Sequence, residues 1–346
     1  MKRLSTTGTS LAAAGAGIGA AWLAWRLARA RHAISFADRV VVITGGSRGL
    51  GLVMARRFVT EGAHVVLIAR DTGELVRAQA DLESLGTGSV ATVRCDVRRR
   101  GDVRAAVDTI IDRFRRVDVL INNAGVIQVG PMAHMTEDDF DNAMATHFWG
   151  PLHTMLEVLP GMRHRRFGRI VNVSSIGGKV AVPHLGPYCA SKFALVGLSD
   201  AMRAELDGDG IRVTTVAPGL MRTGSPVSAE FKGRHEQEFA WFKVASSLPG
   251  LTIDADRAAA RIVEACRYGD PTLTITPQAA LLAAANMVAP GAVARAMMAV
   301  SRMLPRPDDS SGDQLKTGRE IAPPERWVPP IVTSLTNRAA AANNEA

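Results

Sequence analysis

The sequence predicts a Rossmann-type α/β fold, a doubly wound parallel sheet of about seven strands with helices on both faces. Between residues 39 and 276, short continuous apolar runs alternate with longer amphipathic stretches. Strands that are buried on both faces are apolar throughout rather than at every second residue, as in parallel sheets. A glycine-rich turn follows the first apolar run at once. Regular alternation of strands and helices then implies parallel pairing.

The elements can be placed in order along the chain. A short apolar run predicts a strand, and a longer amphipathic stretch after it predicts a helix. The predicted strands cover residues 40–43, 64–69, 90–94, 117–121, 170–173, 213–216 and 273–275. The predicted helices cover residues 50–61, 74–85, 103–114, 136–159 and 187–206.

The main domain is predicted to span residues 34–277. Its alternation breaks after Thr223, and residues 224–252 are interpreted as a helical lid over a pocket. Aromatic residues lie among the charges of this lid: Phe231, Phe239, Trp241 and Phe242.

Two further segments follow the main domain. Residues 278–304 are apolar, rich in methionine and interrupted by Pro290 and Gly291. They predict a helical extension of two short helices that pack on the domain or lie on a membrane. Residues 305–346 are rich in Pro, Asp, Ser and Ala and predict a disordered tail.

Residues 1–33 are interpreted as a hydrophobic anchor with a basic flank. Residues 11–25 carry no charge, and Arg26, Arg29 and Arg31 follow them. That stretch covers only ~22 Å as a helix, whereas a bilayer core is ~30 Å thick. A membrane anchor is the favoured interpretation, with the main domain facing the cytoplasm because the larger basic cluster follows the segment. A cleaved signal peptide and a helix packed on the domain are the alternatives.

Composition narrows the class of protein. The net charge is +8, mostly from arginine, yet no nucleic-acid reader motif or aromatic platform accompanies the charge, so no nucleic-acid partner is expected. The three cysteines, Cys95, Cys189 and Cys266, lack metal-ligand spacing. They are interpreted as reduced, mostly buried thiols, and no metal is expected.

The glycine-rich turn runs Thr44-Gly45-Gly46-Ser47-Arg48-Gly49-Leu50-Gly51, between the first strand and the first helix. Glycines permit a tight turn and let backbone N–H groups approach a pyrophosphate closely. The helix N-terminus adds a partial positive charge. The turn therefore predicts a dinucleotide site.

From about Arg39 to Thr276 the chain resembles the short-chain dehydrogenase/reductase family. Landmarks follow the loop in the family's order: Asn122-Asn123-Ala124-Gly125, Ser174-Ser175, Tyr188-x-x-x-Lys192 and Pro218-Gly219. The resemblance implies hydride transfer between nicotinamide and a carbonyl or alcohol carbon, in a homodimer or homotetramer. It implies a cofactor site made of Thr44, Gly45, Ser47, Arg48, Gly49, Leu50, Gly51, Arg70, Asp96, Val97, Asn123, Ala124, Gly125, Tyr188, Lys192, Pro218, Gly219 and Thr223.

The end of the second strand favours NADP(H) over NAD(H). An NAD site needs a carboxylate there for the ribose hydroxyls, and this sequence has Ala69 at that position. Arg70 and Arg48 can instead grip a 2′-phosphate. Asp71 is one step further on.

The predicted proton donor is Tyr188. Lys192 lies four residues later on the same helix face, and a nearby ammonium is expected to lower the pKa of the phenol. Ser175 suits the substrate oxygen, and Ser174 is the alternative hydroxyl.

One position departs from the family pattern. His147 stands where the family usually has an Asn that completes a proton relay through a water. It is interpreted either as a catalytic relay residue or as a satisfied structural histidine. Asn142 fits the relay less well by spacing.

The aromatic lid and the anchor predict a hydrophobic carbonyl or alcohol substrate, lipid-like or steroid-like. The rival function is a non-catalytic NADP(H)-binding module that senses redox state. The same chemistry with NAD is a second alternative.

Overall fold

The structure is a computed structural model of the chain. It describes residues 24, 26–27, 29–86, 88–248, 250–307, 310–324 and 327–345. The predicted membrane segment at residues 11–25 lies outside these residues, apart from Ala24. Among the helices described, none is both long and apolar enough to cross a membrane.

The strands of the described residues fall into a large central sheet and two small ones. In chain order they are β1 (Val40–Thr44), β2 (His64–Ala69), β3 (Val90–Arg94), β4 (Val119–Asn122), β5 (Gln128–Val129), β6 (Gly168–Val173), β7 (Ile211–Ala217), β8 (Met221–Arg222), β9 (Glu230–Phe231), β10 (Ile253–Asp254), β11 (Thr272–Thr274) and β12 (Lys316–Thr317).

The central sheet has seven strands in the order β11-β7-β6-β4-β1-β2-β3, all paired in parallel. The order reverses next to β1, because β2 and β4 lie on its two sides. Ligands of open parallel sheets bind at such a reversal, outside the carboxyl ends of the strands. The predicted fold class is confirmed.

The helices cover both faces of this sheet. They are α1 (Gly49–Thr60), α2 (Thr72–Glu83), α3 (Arg100–Phe114), α4 (Glu137–Met144), α5 (Gly150–Arg165), α6 (Gly186–Leu206), α7 (Ser225–Ser228), α8 (His235–Ala245), α9 (Ala255–Tyr268), α10 (Pro277–Val288), α11 (Pro290–Ser301) and α12 (Pro330–Ala342).

The core has one layer on each side of the sheet. Helices α1, α2 and α9 contribute to one layer, in which Phe58 packs edge-on against Phe36 with ring centroids 4.8 Å apart. Helices α3 and α5 contribute to the other through residues such as Ile110 and Met155. Because every central strand lies between two apolar layers, its sequence is apolar at consecutive positions.

The helix predicted over residues 136–159 is interrupted. A π-helical turn, Ala145–Trp149, separates α4 from α5. Pro151 has no N–H for the carbonyl of His147, and the N–H of Gly150 reaches back to the carbonyl of Ala145. Such single π turns are frequent at functional sites.

The tail predicted to be disordered from residue 305 is structured where it is described. Strand β12 pairs with β9, and α12 packs on α8. Just after α8, the hydroxyl of Ser247 lies 2.8 Å from that of Thr336 in α12. Thr333, Thr336 and Ala340 are buried. The prediction of disorder was wrong because it relied on the many small and polar residues of this segment. Here such residues pack a narrow helix face against the lid, and no large apolar side chains are needed.

The extension predicted over residues 278–304 forms the hairpin α10–α11. Its large apolar side chains are exposed: Leu281, Met287, Val288, Met298 and Met303. In helix α11, Val293 is buried.

Candidate active site

A cleft of about 590 Å³ opens at the carboxyl ends of the central strands. Its lining includes Ser175, Tyr188, Lys192 and His147. The predicted cofactor residues also line it, except Thr44 and Gly51. Residues from many separate parts of the sequence therefore meet at the reversal of strand order.

Thr44 and Gly51 shape the phosphate loop from behind. The hydroxyl of Thr44 accepts hydrogen bonds from the backbone N–H groups of Asn123 and Ala124, 3.0 and 3.1 Å away. A Cβ at Gly51 would lie 2.1 Å from the carbonyl oxygen of Gly45, so no side chain fits there. Gly45 has φ +62°, in the left-handed region that favours glycine.

Asn123 supports the loop through its amide. Its Nδ2 donates to the carbonyls of Thr44 and Gly45 at 3.2 and 3.1 Å. These bonds hold the turn in the shape that lets α1 point its N-terminus into the cleft. The geometry therefore fits a pyrophosphate, since backbone N–H groups at a helix N-terminus face the space it would occupy.

The far end of the cleft carries both arginines and carboxylates, among them Arg48, Arg70, Asp71 and Glu74. Arg70 is exposed at the rim, directly after β2. The side chain of Asp71 caps α2, accepting the backbone N–H of Glu74 at 2.7 Å. Arg48 donates to the hydroxyl of Ser228 at 2.7 Å and lies 3.6 Å from a carboxylate oxygen of Glu74.

The reactive end brings Ser175, Tyr188 and Lys192 together. The hydroxyl of Ser175 accepts the N–H of Gly177 at 3.0 Å and lies near enough to the phenol of Tyr188 to lower its pKa. Lys192 Nζ donates to the carbonyl of Val173 at 2.9 Å and lies 5.7 Å from the centroid of the Tyr188 ring. This cluster can hold a proton beside an oxygen-bearing substrate.

Ser174, the alternative hydroxyl, has another partner. Its Oγ donates to the backbone carbonyl of Lys192 at 3.0 Å. It thereby ties the end of β6 to α6, while Ser175 is the hydroxyl beside the phenol.

A family profile described as short chain dehydrogenase matches residues 39–231, more than half of the chain. The chain belongs to the short-chain dehydrogenase/reductase family. An uncharacterised oxidoreductase of Mycobacterium bovis is 42% identical over 186 residues, which cover 54% of this chain and 74% of that protein. Dehydrogenase/reductase SDR family member 7B of Danio rerio is 37% identical over 209 residues, 58% of this chain and 67% of that protein.

Solved structures agree with the family assignment. A short-chain dehydrogenase from Streptomyces avermitilis matches with a TM-score of 0.64 and 28% identity, over 77% of this chain and 99% of that one. L-sorbose reductase from Gluconobacter frateurii, solved with NADPH and L-sorbose, matches with a TM-score of 0.63 and 25% identity, over 70% of this chain and 97% of that one. This short-chain dehydrogenase/reductase is thus an NAD(P)-dependent oxidoreductase that acts on CH–OH or C=O groups.

The pKa of Tyr188 differs from the expectation raised by the sequence. Burial raises the pKa of Tyr188 to about 12, and the hydrogen bond with Ser175 acts against this rise. Burial also lowers the pKa of Lys192 to about 7. The lysine was expected to lower the phenol's pKa by its charge, but in this enclosed cleft the cost of desolvation dominates for both groups.

His147 has both ring nitrogens occupied by protein groups. Its Nε2 accepts the N–H of Val126 at 3.1 Å, so the proton lies on Nδ1, which is 2.7 Å from the hydroxyl of Ser191. That hydroxyl donates in turn to the carbonyl of Pro187 or Tyr188, each 2.9 Å away. Burial holds the pKa of His147 well below its ordinary value, with a smaller contribution from Lys192.

Because both ring nitrogens have protein partners, the contacts of His147 favour a structural histidine over a residue of the proton relay. It stands edge-on to the ring of Tyr188, with centroids 5.5 Å apart. The π turn before α5 directs the imidazole inward, and a neutral ring there supports the phenol by packing.

The lid aromatics do not line the cleft. Phe231, Phe239 and Phe242 pack on one another, with Val129 and Leu185, in a separate apolar cluster. Their role is to build the lid's own core. The apolar residues that line the cleft include Val126, Ile127 and Met221.

Several polar lining residues were not predicted from the sequence, among them Glu74, Ser228, Glu230 and Glu345. Glu74 stands in the first turn of α2, where a carboxylate is ordinary for a helix start. Glu345 has no local signal at all, because nearly the whole main domain separates it from the loop that it contacts.

Lys192 gives a pH-dependent stability prediction. Its pKa of about 7 in the folded protein is below the ~10.4 of an unfolded lysine, so between these values the unfolded chain binds more protons. The free energy of unfolding should therefore rise with pH through this window. We expect Lys192→Met to remove that rise and to stabilise the protein at pH 7 by about 1–3 kcal/mol, after the loss of one hydrogen bond.

Urea unfolding at pH 7 and pH 9.5 measures both effects. Lys179→Met, at a partly exposed lysine, is the matched control and should keep the wild-type dependence on pH. Equal pH slopes for the wild type and Lys192→Met would show that the ammonium is not desolvated.

Proposed function

We propose that this enzyme uses NADP(H) to reduce a carbonyl, or to oxidise the corresponding secondary alcohol, with Tyr188 as the proton donor and acceptor. The observation that carries the proposal is the meeting of Ser175, Tyr188 and Lys192 at one end of the cleft whose other end is the glycine loop. In this arrangement a substrate oxygen and a nicotinamide ring would share the reactive end.

Each side chain then has a defined task. The dinucleotide supplies or accepts the hydride when it is bound. The phenol of Tyr188 gives its proton to the substrate oxygen during reduction and regains one afterwards. Ser175 donates a hydrogen bond to the same oxygen, and Lys192 holds the nicotinamide ribose and stabilises the tyrosinate. The three side chains already line one end of the cleft, which favours this division of roles.

Removing the phenolic hydroxyl separates catalysis from binding. We expect Tyr188→Phe to lower kcat by about 10²- to 10⁴-fold, because proton donation is lost, while NADPH binding changes little. Tyr268 is the other tyrosine of the chain, so Tyr268→Phe is the matched control and should keep wild-type activity. NADPH oxidation with a broad carbonyl panel and NADPH fluorescence titration measure the two quantities.

The same panel decides between catalysis and the redox-sensing module. A wild-type protein that binds NADPH but reduces no carbonyl would favour the binding-only function. Full activity in Tyr188→Phe would remove this tyrosine from the mechanism.

The preference for NADP(H) rests on charge at the end of β2. Ala69 offers no carboxylate, and Asp71 is engaged as a helix cap. Arg70 is exposed at the rim, where a 2′-phosphate would lie. L-sorbose reductase and a metagenomic short-chain oxidoreductase, both similar in fold, were solved with NADPH and NADP.

Arg70→Ala tests this preference. Loss of one charge-assisted contact should raise KM for NADPH about tenfold and leave KM for NADH within about twofold. Arg104→Ala, at an exposed arginine of α3, is the control and should change neither constant. A wild type that prefers NADH would establish the NAD alternative.

We also propose a hydrophobic substrate and attachment to a membrane. The apolar lining from Val126, Ile127 and Met221 supports the first. For the second, the sequence between residues 271 and 307 has no acidic residue but contains Arg295, Arg302 and Arg306, beside the exposed methionines of the α10–α11 hairpin. Apolar helices with basic residues suit an anionic bilayer surface. Turnover confined to small polar sugars would oppose the substrate proposal.

Deletion of residues 1–23 tests the anchor without disturbing the domain. Arg29 must be kept, because its guanidinium bonds both carboxylate oxygens of Asp270. We expect the shortened chain to move from the membrane fraction to the soluble fraction and to bind NADPH as the full chain does. A full-length chain that is soluble after gentle lysis would exclude the anchor. If the shortened chain still binds anionic vesicles, the α10–α11 hairpin is the part that contacts the membrane.

A further inference from the structure

Residues 342–345 lie across the glycine loop, at the end of the cleft where a pyrophosphate would bind. The backbone carbonyl of Asn343 accepts the N–H of Gly49 at 2.9 Å. The amide of Asn344 donates to the carbonyl of Ser47 at 2.9 Å. A carboxylate oxygen of Glu345 accepts the N–H of Gly224 at 2.6 Å. Both walls of the cleft are thus bridged by one short segment.

This segment uses groups that a bound dinucleotide needs. Gly49 is the first residue of α1, and its N–H belongs to the helix N-terminus that would face the phosphates. A Cβ at Gly49 would lie 2.9 Å from Oε1 of Glu345, so the carboxylate fills the space beside that glycine. A phosphate oxygen and the Glu345 carboxylate cannot occupy this space together.

Several side chains hold the segment from outside the cleft. Arg56 donates to the backbone carbonyl of Ala342 at 2.8 Å and to Oδ1 of Asn343 at 2.7 Å. Arg77 donates to Oδ1 of Asn344 at 2.7 Å. Arg319 donates to the backbone carbonyl of Glu345 at 3.3 Å. Side chains from three separate parts of the chain therefore hold this segment in place.

Glu345 is 5% exposed. We propose that residues 343–345 are an intramolecular ligand of the glycine loop, and that they must leave before the dinucleotide can bind. The ligand class is an acidic peptide segment with the Asn-Asn-Glu sequence, which competes with the cofactor. This inference rests on the proposed function, because it needs a dinucleotide in the same cleft.

The charges around Glu345 indicate that release is feasible. Burial raises the pKa of Glu345 to about 7, although the Gly224 N–H and the charges of Arg48 and Arg319 favour ionisation, and the Glu74 charge opposes it. Holding Glu345 in its ionised form at this buried position therefore costs free energy. A pyrophosphate carries more charge and more acceptor oxygens than one carboxylate. A dinucleotide at sufficient concentration should therefore displace Glu345 from the glycine loop.

The test compares cofactor affinity in chains with and without the segment. Asn344→Ala combined with Glu345→Ala leaves α12 intact, and deletion of residues 343–346 is the second variant. Asn337→Ala, at an exposed position of α12, is the matched control. If the segment is docked ~90% of the time, both variants should bind NADPH about tenfold more tightly than the wild type and the control. Fluorescence titration measures the Kd, and thermal unfolding verifies the fold.

A synthetic peptide covering residues 336–346 provides the converse experiment. Added to the shortened chain, it should raise the Kd for NADPH, and a peptide with Ala at positions 344 and 345 should not. Equal affinities in the wild type and both variants would overturn the proposal. Weaker binding in the variants would also overturn it, because the segment would then be a cover over the bound cofactor.

Hydrogen exchange on the full-length wild type distinguishes these states directly. NADPH should slow the exchange of amides 49–52 and speed that of amides 343–345. Slower exchange in both segments would overturn the proposal in favour of a cover. If folded chains with and without the segment all fail to bind NADPH and NADH, the proposed function fails together with the inference, whereas equal tight binding removes the inference alone.

Discussion

The hydrogen bond from Lys192 Nζ to the carbonyl of Val173 joins helix α6 to the end of strand β6. A second bond, from Ser174 Oγ to the carbonyl of Lys192, joins the same two elements from the other side. Ser175 comes next in the chain, so its hydroxyl is carried to the phenol of Tyr188, one helical turn before the lysine. The reactive geometry is thus a consequence of how one helix is attached to one strand.

Beneath that attachment, a buried polar network fixes the neighbouring elements. Asn122 of β4 donates to Asn172 of β6 at 2.8 Å and accepts the hydroxyl of Thr154 at 2.7 Å. Asn172 donates to the hydroxyl of Ser199 at 2.9 Å. These partners lie on two strands and two helices, and buried amides tolerate few other arrangements because an unpaired polar group is costly. The network therefore sets the relative positions of α5, α6 and the sheet on which the cleft depends.

The sequence predicts the parts of this molecule that follow local rules. Apolar runs located every central strand within a few residues, because strands buried on both faces leave that pattern. The landmark residues located the cleft, because the loops that follow parallel strands meet at one edge of the sheet. The π-helical turn at Ala145–Trp149 was not predicted, because it depends on Pro151, two residues after it, and not on hydrophobic periodicity. The use of the lid aromatics as a separate core, and the order of residues 330–345, depend on contacts between distant segments.

The cleft also shows why residue type alone does not define a pKa. Tyr188 and Lys192 are the pair that sequence reasoning expected to favour tyrosinate through charge, yet enclosure shifts both groups towards their neutral forms. The same enclosure shifts Glu345 at the other end of the cleft towards its neutral form. Ionisable groups at both ends thus line one continuous cleft, where added charge changes the pKa of each of them. The charge that enters with a dinucleotide, negative at the loop and positive at an oxidised ring, would act on these two ends in opposite ways. At the loop, the negative charge needs the space that the Glu345 carboxylate fills, so the acidic segment has to leave first. At the ring end, the positive charge would then favour the ionised phenol of Tyr188.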